Sequence, residues 1–154
     1  MQLSNFMTLG LFGINSMKLF GNATQREFGL EWQKNLMVKR ATAYQEALID
    51  EGFSYEGHVY QIDDGSLSVM NRFMSGLLAG FANPHKGYYR TKDNKHVSMT
   101  DEQLALFIQN AAVYTGNLRS ALHNAKDVIR ACATHEELAA VDFKSIIDQG
   151  AATS

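Results

Sequence analysis

Residues 100–132 read TDEQLALFIQNAAVYTGNLRSALHNAKDVIRAC. Leu104, Phe107, Ile108, Ala111, Tyr114, Leu118, Ala121, Leu122, Ala125, Val128, Ile129 and Cys132 recur at helical intervals, so one face of a long helix is apolar. Thr100 opens it, and Gln103, three residues on, completes a capping box. In that arrangement the threonine hydroxyl accepts from a first-turn N–H while the glutamine returns to the cap. An apolar stripe of this length needs partners, and the rest of the chain is read for elements that supply them. Gly116 is expected either to bend the helix slightly or to let a neighbour approach closely.

Upstream, Phe28, Trp32, Leu36, Met37, Ala41, Tyr44 and Leu48 give a second stripe, with Glu31, Lys34, Arg40 and Gln45 assigned to the opposite face. Thr24 and Glu27 form its capping box and Gly52 its stop, which predicts a helix over 25–50. Between the two long helices lie shorter elements. Phe53 to Ile62 alternates about Glu56-Gly57; a two-residue turn there sets Phe53 opposite Tyr60 and Tyr55 opposite His58. Asp64 or Ser66 is expected to cap a third helix carrying Leu67, Met70, Met74, Leu77, Leu78 and Phe81, ended by Asn83-Pro84. Residues 87–91 and 95–99 flank Lys92-Asp93-Asn94 as a second hairpin. Thr134 and Glu137 open a short helix through Val141, and Asp142 caps a last turn over 143–147.

The expected fold is therefore mainly α with two small β-hairpins, two long helices and one medium helix sharing a core. The domain is placed at 22–150 and the tail at 151–154, and Gly150 to Ser154 are expected to fray unless a partner holds them. One domain of this kind suits 154 residues.

Residues 1–21 are of another character. MQLSNFMTLGLFGINSMKLFG holds Leu3, Phe6, Met7, Leu9, Leu11, Phe12, Ile14, Met17, Leu19 and Phe20, and its only charge is Lys18. Water does not tolerate that much exposed apolar surface, so this extended arm must be covered by its own domain, a neighbouring subunit or a membrane. Phe6, Leu9, Leu11, Phe12, Ile14, Met17, Leu19 and Phe20 are the candidate interface residues. A secretory signal is disfavoured because the first basic residue, Lys18, follows the apolar stretch. A membrane span is disfavoured by Asn5, Thr8, Asn15, Ser16 and three glycines within a length that needs about 20 apolar residues.

Composition excludes several classes. Net charge is −2; the arm carries +1, leaving −3 on the remainder, so no basic field exists to attract nucleic acid. The single cysteine, Cys132, rules out an intramolecular disulfide and paired-thiolate metal sites, and its place on the stripe makes it a small core residue. His58, His85, His96, His123 and His135 show no metal-ligand spacing. Asp63-Asp64 resembles half a calcium loop, yet the twelfth position is Met74 where a glutamate is required, so a turn is the better reading. GLLAG at 76–80 is assigned to core packing. Lys86, Arg90, Lys92 and Lys95 beside Tyr88 and Tyr89 could bind nucleic acid or glycans, but a solvated hairpin or protein interface is favoured. No nucleophile, general base or metal cluster can be assembled from spacing, so no catalytic residue, metal, cofactor or small-molecule substrate is expected.

Several motifs occur in an order that resembles a domain family of unknown function found in tail- and fibre-related proteins of tailed bacteriophages and prophages. Lys39-Arg40 through Glu51-Gly52-Phe53 is similar to its opening helix and glycine stop. Tyr55-Glu56-Gly57 and Tyr60-Gln61-Ile62-Asp63 are similar to its first hairpin. Arg90-Thr91-Lys92-Asp93-Asn94, then Val97-Ser98-Met99-Thr100, resemble its second hairpin and the start of its next helix, and Glu136-Glu137-Leu138 its final capped helix. The resemblance covers about two thirds of the chain and leaves the first 38 residues out. It departs at Tyr88-Tyr89, where the family often has a tryptophan. It implies a virion structural protein of the tail (baseplate, fibre or adaptor region), made in the host cytoplasm, whose partners are copies of itself and other tail proteins. A tail-fibre assembly chaperone, or an ejection protein using the arm on a membrane, are the alternatives.

Overall fold

The computed structural model describes residues 22–81 and 87–152, with the side chains of its first helix described from Gly29 onward. The arm 1–21, with all eight candidate interface residues, lies outside the described residues, as do Lys86, His85 and Asn83-Pro84. Among the described residues five helices and two hairpins follow in order: α1 (Asn22–Glu51), β1 (Phe53–Tyr55), β2 (His58–Tyr60), α2 (Asp64–Leu78), β3 (Tyr88–Arg90), β4 (His96–Ser98), α3 (Asp101–Ala131), α4 (His135–Ala139) and α5 (Phe143–Ala151). The mainly α fold with two small hairpins is as expected.

The helix over 101–131 is the hub, packing against α1, α2, α5 and β1. Its capping box forms as read: Thr100 accepts from the Gln103 N–H at 3.2 Å, and the Gln103 side chain accepts from the Thr100 N–H at 2.9 Å. Leu104, Phe107, Ile108, Ala111, Leu118, Ala121, Leu122, Ala125 and Ile129 are buried along it, and Cys132 is a buried core residue. Val128 departs from the expected stripe and is 45% exposed, while Thr115 takes a buried place that the stripe did not include. Thr115 can enter because its hydroxyl donates to the Ala111 carbonyl of its own helix at 2.9 Å. Gly116 faces open space, so it serves no close helix contact.

In α1 the inward face is rotated from the one expected. Leu30, Lys34, Ala41 and Gln45 are buried, whereas Trp32 is 58% exposed. The two polar residues are inward because α3 satisfies them. Lys34 Nζ donates to the Arg130 carbonyl at 3.1 Å, and Gln45 Nε2 donates to the Leu118 carbonyl at 3.1 Å. Positions rise along α1 as their partners fall along α3, so the helices are antiparallel. The helix also begins at Asn22, which places Thr24 inside its first turn rather than ahead of it.

Hairpin β1–β2 has the expected register, Phe53 opposite Tyr60 and Tyr55 opposite His58. Glu56 and Gly57 both have positive φ, 47° and 79°, as a tight two-residue turn requires. The second hairpin pairs Tyr88 with Ser98, Tyr89 with Val97 and Arg90 with His96. The hairpins meet through one backbone bond, from the Lys92 N–H to the Val59 carbonyl at 2.7 Å.

Both ends of α2 differ from expectation. Its cap is Asp63, one residue earlier than Asp64, accepting from the Ser66 N–H at 3.0 Å and the Ser66 hydroxyl at 2.8 Å. It stops at Leu78, before Asn83-Pro84 is reached. Gly80 adopts φ +81°, its N–H donates to the Leu77 carbonyl and the Phe81 N–H to the Gly76 carbonyl, both at 2.9 Å. This is a Schellman stop, which satisfies carbonyls the helix end would leave free. Leu78 and Phe81 thereby project into solvent, Phe81 being 71% exposed. Of GLLAG, Leu77 packs on the core; Gly76 and Gly80 meet nothing and Leu78 and Ala79 are exposed, so core packing explains one residue of the five.

The C-terminal elements are capped as read, by Thr134 and Asp142. Glu137, however, reaches the Ala133 N–H at 2.6 Å rather than that of Thr134, and α4 ends at Ala139, short of Val141. The last helix continues to Ala151, past the single turn expected over 143–147 and into the stretch expected to fray from Gly150. The reason is tertiary. A Cβ at Gly150 would lie 2.4 Å from the Ala121 Cβ, so a glycine is what lets α5 lie flush on α3. Tyr44 of α1 holds the same helix, its hydroxyl donating to Asp148 Oδ1 at 2.8 Å.

Candidate functional site

The two hairpins are fixed to the helices by aromatic rings. Phe107 of α3 lies within 4.4 Å of the Tyr60 ring centroid, 5.1 Å of Tyr89, 5.5 Å of Tyr55 and 6.3 Å of Phe53. Each ring adds area burial, and all four meet Phe107 at tilted angles of 31° to 57°. Burial pushes the Tyr89 phenol up to about 12, with the Asp63 carboxylate adding to the shift. The Tyr60 hydroxyl is fully buried and has no hydrogen-bond partner among the described residues, so this cluster is held by packing rather than by polar contacts.

That arrangement decides the basic–aromatic cluster singled out from the sequence. Tyr89 faces the core. Tyr88 stacks on His96 at 4.1 Å and 22°. Lys95 pairs with Asp93 at 2.6 Å, which lowers the Asp93 carboxyl and raises the Lys95 ammonium from their ordinary values. Lys92 Nζ donates to the Asp50 and Glu51 carbonyls at the end of α1. A cation there complements the negative helix terminus and anchors the hairpin turn. Of these three basic residues only Lys95 forms an ion pair among the described residues; Lys92 serves backbone carbonyls instead. The hairpin's charges are thus largely spent on its own docking. Lys34 serves α3 in the same way, bridging Glu31 at 2.8 Å and the Arg130 carbonyl. Sequence reasoning missed both capping lysines, whose carbonyls lie far away in the chain.

Among the described residues the histidines and acidic residues are not gathered into a centre. His58 lies edge-on to Tyr60, His96 stacks on Tyr88, His123 is exposed and His135 sits beside Gly29. Asp63 caps α2, and its carboxyl is held below the usual range by the Ser66 hydrogen bonds. Asp64 pairs with Arg119 at 3.1 Å. Among the described residues no group of three or more His, Cys, Asp or Glu is placed to hold a metal ion.

Three concave surfaces stand out. One of about 290 Å³ lies between α2 and β3, lined by Ser66, Val69, Phe73, Tyr89 and Arg90. A second, of about 530 Å³, runs between α2 and α3 beside Arg72, Arg119 and Asp64. The third, of about 680 Å³, is formed by the end of α3 with α4 and α5; Val128, Ala131, Ala140, Val141 and Ile146 make it apolar, and Glu137 and Asp142 are its charged lining. It joins elements that no local motif connects, so nothing in the sequence pointed to it. Trp32, Leu78, Phe81, Leu106 and Val113 are further exposed apolar side chains. Among the described residues no helix is long and apolar enough to cross a membrane. No protein-family model, curated protein or solved structure matches the chain.

Proposed function

We propose that this chain is a structural protein of a bacteriophage tail, in the baseplate, fibre or adaptor region, and that it acts by protein–protein assembly. The observation that carries the reading is the arm, whose many large apolar side chains and single charged one require a cover. The resemblance of the hairpin and helix-cap motifs to a phage tail-associated family supplies the setting. The domain suits a scaffold role: α2 to α5 carry N-caps, its hairpins are tied to α1 and α3, and Lys34, Lys92 and Lys95 serve internal contacts. Burying a few hundred Å² of arm on a neighbour gives several kcal/mol at about 25 cal/mol per Å², before ordering costs are subtracted.

Mass spectrometry of purified particles from the host that makes this protein tests the setting. The chain is expected in tail fractions at a fixed ratio to the other tail proteins. Its absence from particles that assemble normally contradicts a structural role and favours the chaperone reading.

A further inference from the structure

The apolar groove at the end of α3 sits at the end of the bundle where the arm begins. The antiparallel Lys34–Arg130 contact sets the N-terminal half of α1 beside the end of α3, with Asn22 about 18 Å further along the helix, and a Cβ on Gly29 would lie 3.9 Å from His135 Nε2 of α4. The arm joins α1 at Asn22 at that same end, and 21 residues of extended chain span about 70 Å, enough to reach across to a neighbouring molecule. Val128, exposed to 45%, lies on the wall of this wide, open groove, whose volume is about 680 Å³.

Charge separates this groove from its competitors. The first of the two other concave surfaces is lined by Arg90 and the second by Arg72 and by Arg119 paired with Asp64, so among the described residues each keeps one uncompensated arginine against an arm whose one charged side chain is Lys18. The apolar groove is lined instead by two carboxylates, Glu137 and Asp142. Both are fixed by backbone bonds, from the Ala133 N–H at 2.6 Å and the Ser145 N–H at 3.1 Å. We infer that this groove seats residues 1–21 of a second copy of the chain, apolar side chains against Val128, Val141 and Ile146 and Lys18 toward Glu137 and Asp142. The inference rests on the assembly reading above and names the surface through which like copies join.

The test uses the full chain. Unlabelled and ¹⁵N-labelled protein are mixed, allowed to exchange and treated with a carbodiimide, which joins an amine directly to a carboxylate. Expected are peptides linking Lys18 to Glu137 or Asp142 in mixed-isotope pairs. In parallel, Val128→Glu places a carboxylate on the apolar wall at an exposed position and is expected to weaken assembly at least tenfold with unchanged helical circular dichroism. Links confined to same-isotope pairs show the arm seated at home and overturn the second copy as occupant. An oligomer with no link at the groove, or with wild-type assembly of Val128→Glu, overturns the groove and leaves the assembly reading standing. A full chain that stays monomeric overturns both.

Discussion

Phe107→Ala is expected to cost about 3–5 kcal/mol of folding stability, the range for removing a fully buried aromatic side chain. The site has little room to collapse. Phe107 is fully buried, and four rings from three strands converge on it. Truncation leaves a cavity lined by Phe53, Tyr55, Tyr60 and Tyr89, with the Tyr60 hydroxyl already unpaired. Since small domains hold about 5–15 kcal/mol in total, the loss takes a large share of it. Urea denaturation of wild type and variant measures it. Phe107→Leu, which keeps most of the volume, is expected to recover more than half. A loss under about 1 kcal/mol for the alanine variant contradicts the placement of this ring at the junction of hairpins and helices.

Gly52→Ala is expected to cost about 2–4 kcal/mol, from two causes that act together. The backbone has φ +96°, a conformation that L side chains rarely adopt, and an added Cβ would lie 2.6 Å from the Tyr60 carbonyl oxygen and 2.9 Å from Val59 Cγ1. The carbonyl belongs to β2, so relief requires moving the hairpin off the end of α1. Gly57→Ala separates the causes, because Gly57 also has positive φ, 79°, but faces open space. That variant is expected to lose only the backbone part, about 1 kcal/mol. Equal losses at the two positions, read by thermal or urea unfolding, contradict the close approach at Gly52.

The legible parts of the fold were those set by near neighbours in sequence. The Thr100–Gln103 box, the Glu56-Gly57 turn with its register, and the caps at Thr134 and Asp142 each need only a few consecutive residues. The inward face of α1 was not legible, because Lys34 and Gln45 are paired with carbonyls 96 and 73 positions away. Polarity alone assigns such residues to solvent. The length of α5 had the same difficulty: Gly150 reads as a breaker, yet it is the residue that lets the helix approach Ala121. In α2, Gly80 ended the helix before the stronger-looking Asn83-Pro84, and Leu78 and Phe81 left the core face with it. Of the candidate interface, composition made the arm conspicuous, while the groove at Val128 and Ile146 arises from three elements with no shared motif.

The central claim is that residues 1–21 join copies of this protein while the helical domain folds without them. Light scattering of the full chain and of a chain lacking residues 1–21, at matched concentrations with circular dichroism alongside, measures this directly. The expected result is an oligomer for the full chain and a folded, helical monomer for the shortened one. Equal masses for the two, or a shortened chain that has lost its helical signal, contradicts it.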